Sequence, residues 1–323
     1  MRLFGLSTLI IAVGSRLFTE AQATPNQRLL KRVEAHQHSH YYRSRPIKHA
    51  IAEPKMENMT SMTTDQKNTY YSSNWAGVAL LNSNLPSTPA LTSVAATLTV
   101  PVPTSSSTNV QAASAWVGID GFINTAAILQ TGIDIVAYKG EPGCYTAWYE
   151  WYPDSAVDFD LTIDAGDVVV ATVYSTSDST GVAIIQNEST GESATATLRA
   201  PQSTATLTGQ SAEWIVEDYQ SGGSTVSFSD FGTVTFTGVV AGAEGNQTFG
   251  VEGDGAAVVD ILSGNSIVAE GSIISSSEIT VQCTTPSVVA VLGNTRPKIT
   301  ELDLGEPAVA LLVVNEDIVK FDI

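Results

Sequence analysis

The chain has 323 residues, enough for one large domain or two small ones, and its 33 acids against 15 Lys/Arg give a formal net charge of −18. The first 70 residues hold ten of the 15 basic residues and all four His, so from residue 71 onward 28 acids face five bases. That distribution argues against a nucleic-acid partner, which needs a basic footprint. It fits a domain that works in acid, where protonation relieves self-repulsion, although an acidic surface also serves solubility alone.

In chain order, Arg2 precedes an apolar run from Leu3 to Val13, and Ala21-Gln22-Ala23 is a small-x-small cleavage site. Residues 1–23 therefore read as a secretory signal peptide. No other run is long and apolar enough to cross a membrane, so a secreted, extracellular protein without a membrane partner is expected. Residues 24–69 are basic, carry His36, His38, His40 and His49, and are poor in strand patterns. They read as a propeptide, the alternative being a disordered arm with another role. A cationic segment facing an anionic domain is suited to inhibit it, and its grip weakens as carboxylates protonate.

From Tyr70 the texture is β. Short runs rich in Val, Thr, Ile and aromatics are separated by Gly, Ser, Asn and Asp clusters: 96–102, 168–175, 182–186, 194–198, 233–239, 266–274 and 278–283. Several alternate apolar with small polar residues, as half-buried antiparallel strands do, and no capped helix-period segment interrupts them. An all-β sandwich or barrel follows. We place this domain at 70–295, with 296–323 as a C-terminal extension, either a hairpin or a tail. The only cysteines, Cys144 and Cys283, are expected to form a disulfide in a secreted chain, the alternative being two buried free thiols. Sequons at Asn58, Asn187 and Asn246 allow N-glycosylation.

Beyond the propeptide there is no histidine. A Ser-His-Asp or Cys-His site is unavailable there, a zinc site of the usual His/Cys type lacks ligands, and no phosphate loop occurs; no cofactor or metal is expected. Carboxylates, amides and aromatics remain, concentrated in three stretches. The first, Trp116 to Asp134, puts Trp116, Gly118 and Asp120 on one strand face and carries an unusual amide, Gln130, on a face with Ile128 and Gly132. In the second, period two aligns Trp148, Glu150 and Tyr152, which suits a cleft floor because a lone buried charge is a costly core pattern. In the third, Glu213, Ile215, Glu217 and Tyr219 share a face. Each stretch alone also fits an ordinary strand, a sugar-binding surface or solvated carboxylates.

Together the pieces Ser73-Asn74-Trp75-Ala76-Gly77, Trp116-Val117-Gly118-Ile119-Asp120-Gly121, Ala127-Ile128-Leu129-Gln130-Thr131-Gly132, Trp148-Tyr149-Glu150-Trp151-Tyr152-Pro153 and Glu213-Trp214-Ile215-Val216-Glu217-Asp218 resemble the glutamic peptidases, the eqolisin family of secreted acid endopeptidases. The resemblance covers roughly residues 70–290. It implies an antiparallel sandwich of two curved, concanavalin-like sheets. It also implies a pepstatin-insensitive acid protease that acts as a monomer on protein and peptide substrates and is made with an inhibitory propeptide. It makes Gln130 and Glu217 the catalytic pair and puts Trp75, Trp116, Asp120, Asp134, Trp148, Glu150 and Tyr152 in or beside the substrate cleft. Thr146 stands where the family has Asp, which bears on the pH optimum. The rival readings are a glycoside hydrolase using Glu150 and Glu217 and a non-catalytic carbohydrate-binding sandwich.

Overall fold

The structure is a computed structural model; it describes residues 42–50, residues 69–284 apart from 106, 108, 222, 223 and 254, and two strands at 309–314 and 317–322. The expected signal peptide and the Asn58 sequon lie outside the described residues. The chain divides into one unit ending at Pro286 and a second from Ser287 to Ile323. In the second, Val309–Val314 pairs antiparallel with Asp317–Asp322 as a hairpin.

The larger unit is built chiefly from β1 (Trp75–Leu81), β2 (Leu91–Thr99), β3 (Gln111–Ile119), β4 (Ile128–Ala137), β5 (Cys144–Tyr152), β6 (Val168–Ser177), β7 (Thr180–Asn187), β8 (Glu192–Arg199), β9 (Ser211–Glu217), β10 (Thr233–Ala243), β11 (Ala256–Ser263), β12 (Ser266–Ser275) and β13 (Glu278–Cys283). Among the described residues there is no α-helix. One layer runs β11-β1-β9-β3-β4-β5 with every pairing antiparallel. The other runs β13-β10-β2-β6-β7-β8, also antiparallel. Strand β12 pairs with both β11 and β13 and so joins the layers.

The period-two pattern decides which side chains enter the core. In the first layer Val78, Leu80, Val117, Ile119, Leu129, Ile133, Trp214 and Val216 turn inward. They meet Leu98 of β2, Val169, Ala171 and Val173 of β6, and Phe236 of β10 in the core between the layers. The opposite face of the first layer carries a second apolar cluster that includes Trp75, Trp116, Trp148 and Ile215. One sheet therefore serves two surfaces, a core beneath and an aromatic-rich face above.

Two expectations need correction. The strand expected over 96–102 ends at Thr99, because Pro101 and Pro103 have no N–H to give to a ladder; the Val100 N–H instead donates to the Asp167 carbonyl. The expected Cys144–Cys283 disulfide is absent, and both residues are thiols. Cys144 is buried in a small cluster with Ala112, Val136 and Tyr219. Cys283 packs partly buried against the main core, its Sγ 4.0 Å from the Ser229 carbonyl oxygen.

Candidate active site

Register carries the three polar stretches onto one face. Gly118 of β3 lies opposite Glu213 of β9 and Gln130 of β4, and Gln130 lies opposite Glu150 of β5. A second row runs from Glu217 through Ser114 and Asp134 to Thr146. Gly118 is needed between these side chains: a Cβ there would come within 2.8 Å of the Trp116 ring and 3.2 Å of the Gln130 Cβ. Thr146 is the register partner of Asp134.

Glu217 is buried and held by four donors. Trp116 Nε1 donates to Oε2 at 3.1 Å and Asn74 Nδ2 to Oε1 at 3.3 Å. The other two come from the segment before the domain: the Arg45 N–H donates to Oε1 at 3.0 Å, and the Ser44 hydroxyl donates to Oε2. The Ser44 N–H also reaches Glu150 Oε2 at 3.2 Å, so one residue bridges the carboxylates of Glu150 and Glu217. Burial pushes the Glu217 carboxyl up to about 7 against the pull of these four donors.

Gln130 and Glu213, on either side of Gly118, both have every side-chain polar atom unpartnered among the described residues. Gln130 is wholly buried, yet among the described residues neither Nε2 nor Oε1 has a hydrogen-bond partner. Leaving a buried polar group unpaired costs about 1–3 kcal/mol, so an amide kept in that state is available to a ligand.

The remaining expected residues take distinct places. Trp75 and Trp116 pack edge to face at 5.0 Å. Trp148 is buried and donates to Ser114 Oγ at 3.0 Å, while Tyr152 is partly exposed. Asp134 is buried beside Ser114, and burial pushes its carboxyl up to about 8. Asp120 accepts from the Thr208, Gly209 and Gln210 N–H groups at 2.6, 3.2 and 2.8 Å, pinning that loop. Asn187 is buried, its amide donating to Thr162 and Asp167, whereas Asn246 is exposed.

Sequence reasoning missed Asn74 and Ser114 as site residues. Asn74 binds Glu217 and also grips the preceding segment. Its Oδ1 accepts from the Lys48 N–H at 2.9 Å, and its Nδ2 donates to the Arg45 and Pro46 carbonyls at 3.3 Å each. The only signal for it in the sequence is its place beside Trp75 in the first motif. A cleft of about 450 Å³ opens beside this contact, lined by Arg45, Lys48, Asn74, Glu217, Asp218 and Leu262.

The chain is similar to known proteins over most of the β unit. A model of the peptidase A4 family matches residues 73–283. Aspergillopepsin-2 of Aspergillus niger is 41% identical over 233 residues, covering 66% of this chain and 78% of its own length. Scytalidopepsin B of Scytalidium lignicola is 35% identical over 219 residues, covering 65% and 77%. A crystal structure of scytalido-glutamic peptidase with a transition state analog inhibitor superposes with a TM-score of 0.57 at 33% identity, covering 66% of this chain and 98% of that one.

Proposed function

The chain belongs to the peptidase A4 family, and on that footing we propose that Gln130 and Glu217 form its catalytic pair. The protein is a glutamic-type acid endopeptidase; the residue roles are what the geometry supports. The observation that carries them is the unpaired, buried amide of Gln130 on the same sheet face as a carboxylate already ringed by donors. A glycoside hydrolase or a carbohydrate-binding module gives that amide no task.

With the segment gone, the two donors from Ser44 and Arg45 leave Glu217, and its oxygens become free to hold a water. Glu217 acts as general base, taking a proton as the water attacks the scissile carbonyl. Gln130 Nε2–H donates to the developing oxyanion, a contribution worth roughly 3–4 kcal/mol for one preorganised donor. Glu217, now protonated, passes the proton to the leaving nitrogen, which general acid-base catalysis credits with about 10²–10⁴ in rate. An amide suits the oxyanion role because it stays neutral at every pH, whereas an ionised carboxylate would repel the charge.

The segment 42–50 is the proposed internal inhibitor, and secretion to the extracellular space is proposed with it. Its backbone is tied on both sides of Glu217: Tyr42–Arg43 pairs with Gln220–Ser221, the Ser73 N–H donates to the Lys48 carbonyl at 2.8 Å, and the Ala50 N–H to the Tyr71 carbonyl at 2.8 Å. Digestion of a denatured protein at about pH 2–5 by the precursor and by the acid-treated enzyme tests this. Activity only after the segment is lost supports it, and equal activity from the intact precursor contradicts it.

A further inference from the structure

The segment that contacts Glu217 and Glu150 also buries one apolar side chain. Ile47 is 6% exposed, while the following Lys48 and His49 are exposed. It joins the apolar cluster on the functional face with Trp75, Phe122 and Ile128, and its N–H donates to the Gly121 carbonyl at 3.2 Å.

The receiving corner is built rather than incidental. Asp120 and Gly121 both have positive φ, 65° and 112°. A Cβ on Gly121 would lie 2.8 Å from the Ile128 side chain and 2.9 Å from the Trp75 ring, so only glycine lets the corner sit this close to the pocket wall. The Asp120 carboxylate fixes the corner through the three N–H groups of residues 208–210. Phe122 closes it, packing against Tyr70 at 5.2 Å.

Resting on the peptidase reading, we propose that the pocket filled by Ile47 is a substrate subsite for an apolar aliphatic side chain, three residues from the residue seated on Glu217. Ser44 occupies the dyad position and Ile47 follows it by three, a reach of about 10 Å in extended chain. The same pocket anchors the internal inhibitor, so one apolar contact sets both latency and substrate choice. Phe122 is the specificity-determining wall, and the Gly121 carbonyl aligns the peptide backbone. Burying an Ile-sized side chain there favours it about tenfold or more over one that stays in water.

The test varies the peptide and leaves the enzyme constant. Acid-activated enzyme is given quenched peptides carrying Ile, Asp or Lys at the third position on either side of the cleaved bond, and separately a synthetic 40–50 segment with Ile47 or Ile47→Asp. The expected result is a preference for Ile of about tenfold or more in kcat/KM, residing in KM, on one side of the bond, with binding of the Ile47→Asp segment weaker by about tenfold or more in calorimetry. Phe122→Ala should narrow the Ile-to-Asp ratio. Equal kcat/KM for all three residues, or equal binding of the two segments, overturns the proposal. If no peptide is cleaved at all, the peptidase reading has failed instead, and the calorimetric difference alone decides on the pocket.

Discussion

The Trp116 indole donates to Glu217 from one strand away, Nε1 to Oε2 at 3.1 Å, and it is a donor that the domain itself supplies. Ile215 lies opposite Trp116 in register, so the ring crosses toward the end of β9 to reach the carboxylate. A donor to the ionised form lowers a carboxyl pKa. Trp116→Phe should therefore raise the Glu217 pKa in the activated enzyme, by about one unit if the bond is worth about 1.5 kcal/mol. The acid limb of the kcat/KM profile should move up in pH, with activity at about pH 3 falling more than at about pH 5. An unmoved limb would remove Trp116 from this role.

Covering by the segment should itself raise Glu217. Its carboxyl lies at about 7 with Ser44 and Arg45 in place, and burial is the largest cause. Activation returns water to the site and also removes the Ser44 and Arg45 donors that hold the carboxyl down; because burial is the largest cause, the carboxyl should fall toward its ordinary value. Carboxyl resonances followed by NMR titration in precursor and activated enzyme measure the difference directly.

Stability should decline as pH rises. Burial raises Asp134 to about 8, Asp218 and Asp260 to about 7, and Glu213 well above its ordinary value. The folded state therefore binds more protons than the unfolded chain above about pH 4, and the slope of unfolding free energy with pH is negative there. The stability is fully present below the unfolded pKa near about 4 and is lost as pH climbs toward about 7 to 8. Glu213→Gln removes one such cost. By calorimetry its Tm should exceed that of the wild type at about pH 7 and match it at about pH 4.

The two cysteines give a simple check. Both thiols should titrate in denaturant without reductant, and reductant should leave Tm unchanged, because neither sulfur is bridged. A reductant-dependent fall in Tm would restore the disulfide expected from secretion.

Much of the site is legible in the sequence because period two is a local property. Spacing alone assigns Trp116 with Gly118, Trp148 with Glu150, and Glu213 with Glu217 to common faces, and the pairing keeps them there. What spacing cannot show is register between strands distant in sequence. That Gly118 lies between Glu213 and Gln130, or that Ser114 lies between Glu217 and Asp134, depends on which strands become neighbours. Asn74 is hidden for the same reason, since 143 residues separate it from Glu217. The disulfide expectation fails because a secretory compartment says nothing about where two thiols lie in a fold.

The most direct test of the central claim is digestion of a denatured protein at about pH 2–5, in the presence of pepstatin, by acid-treated wild type, Gln130→Ala and Glu217→Gln, with folding of each confirmed by circular dichroism. The account predicts rapid cleavage by the wild type and a loss of about a hundredfold or more in either folded variant. Undiminished proteolysis by both variants would contradict it.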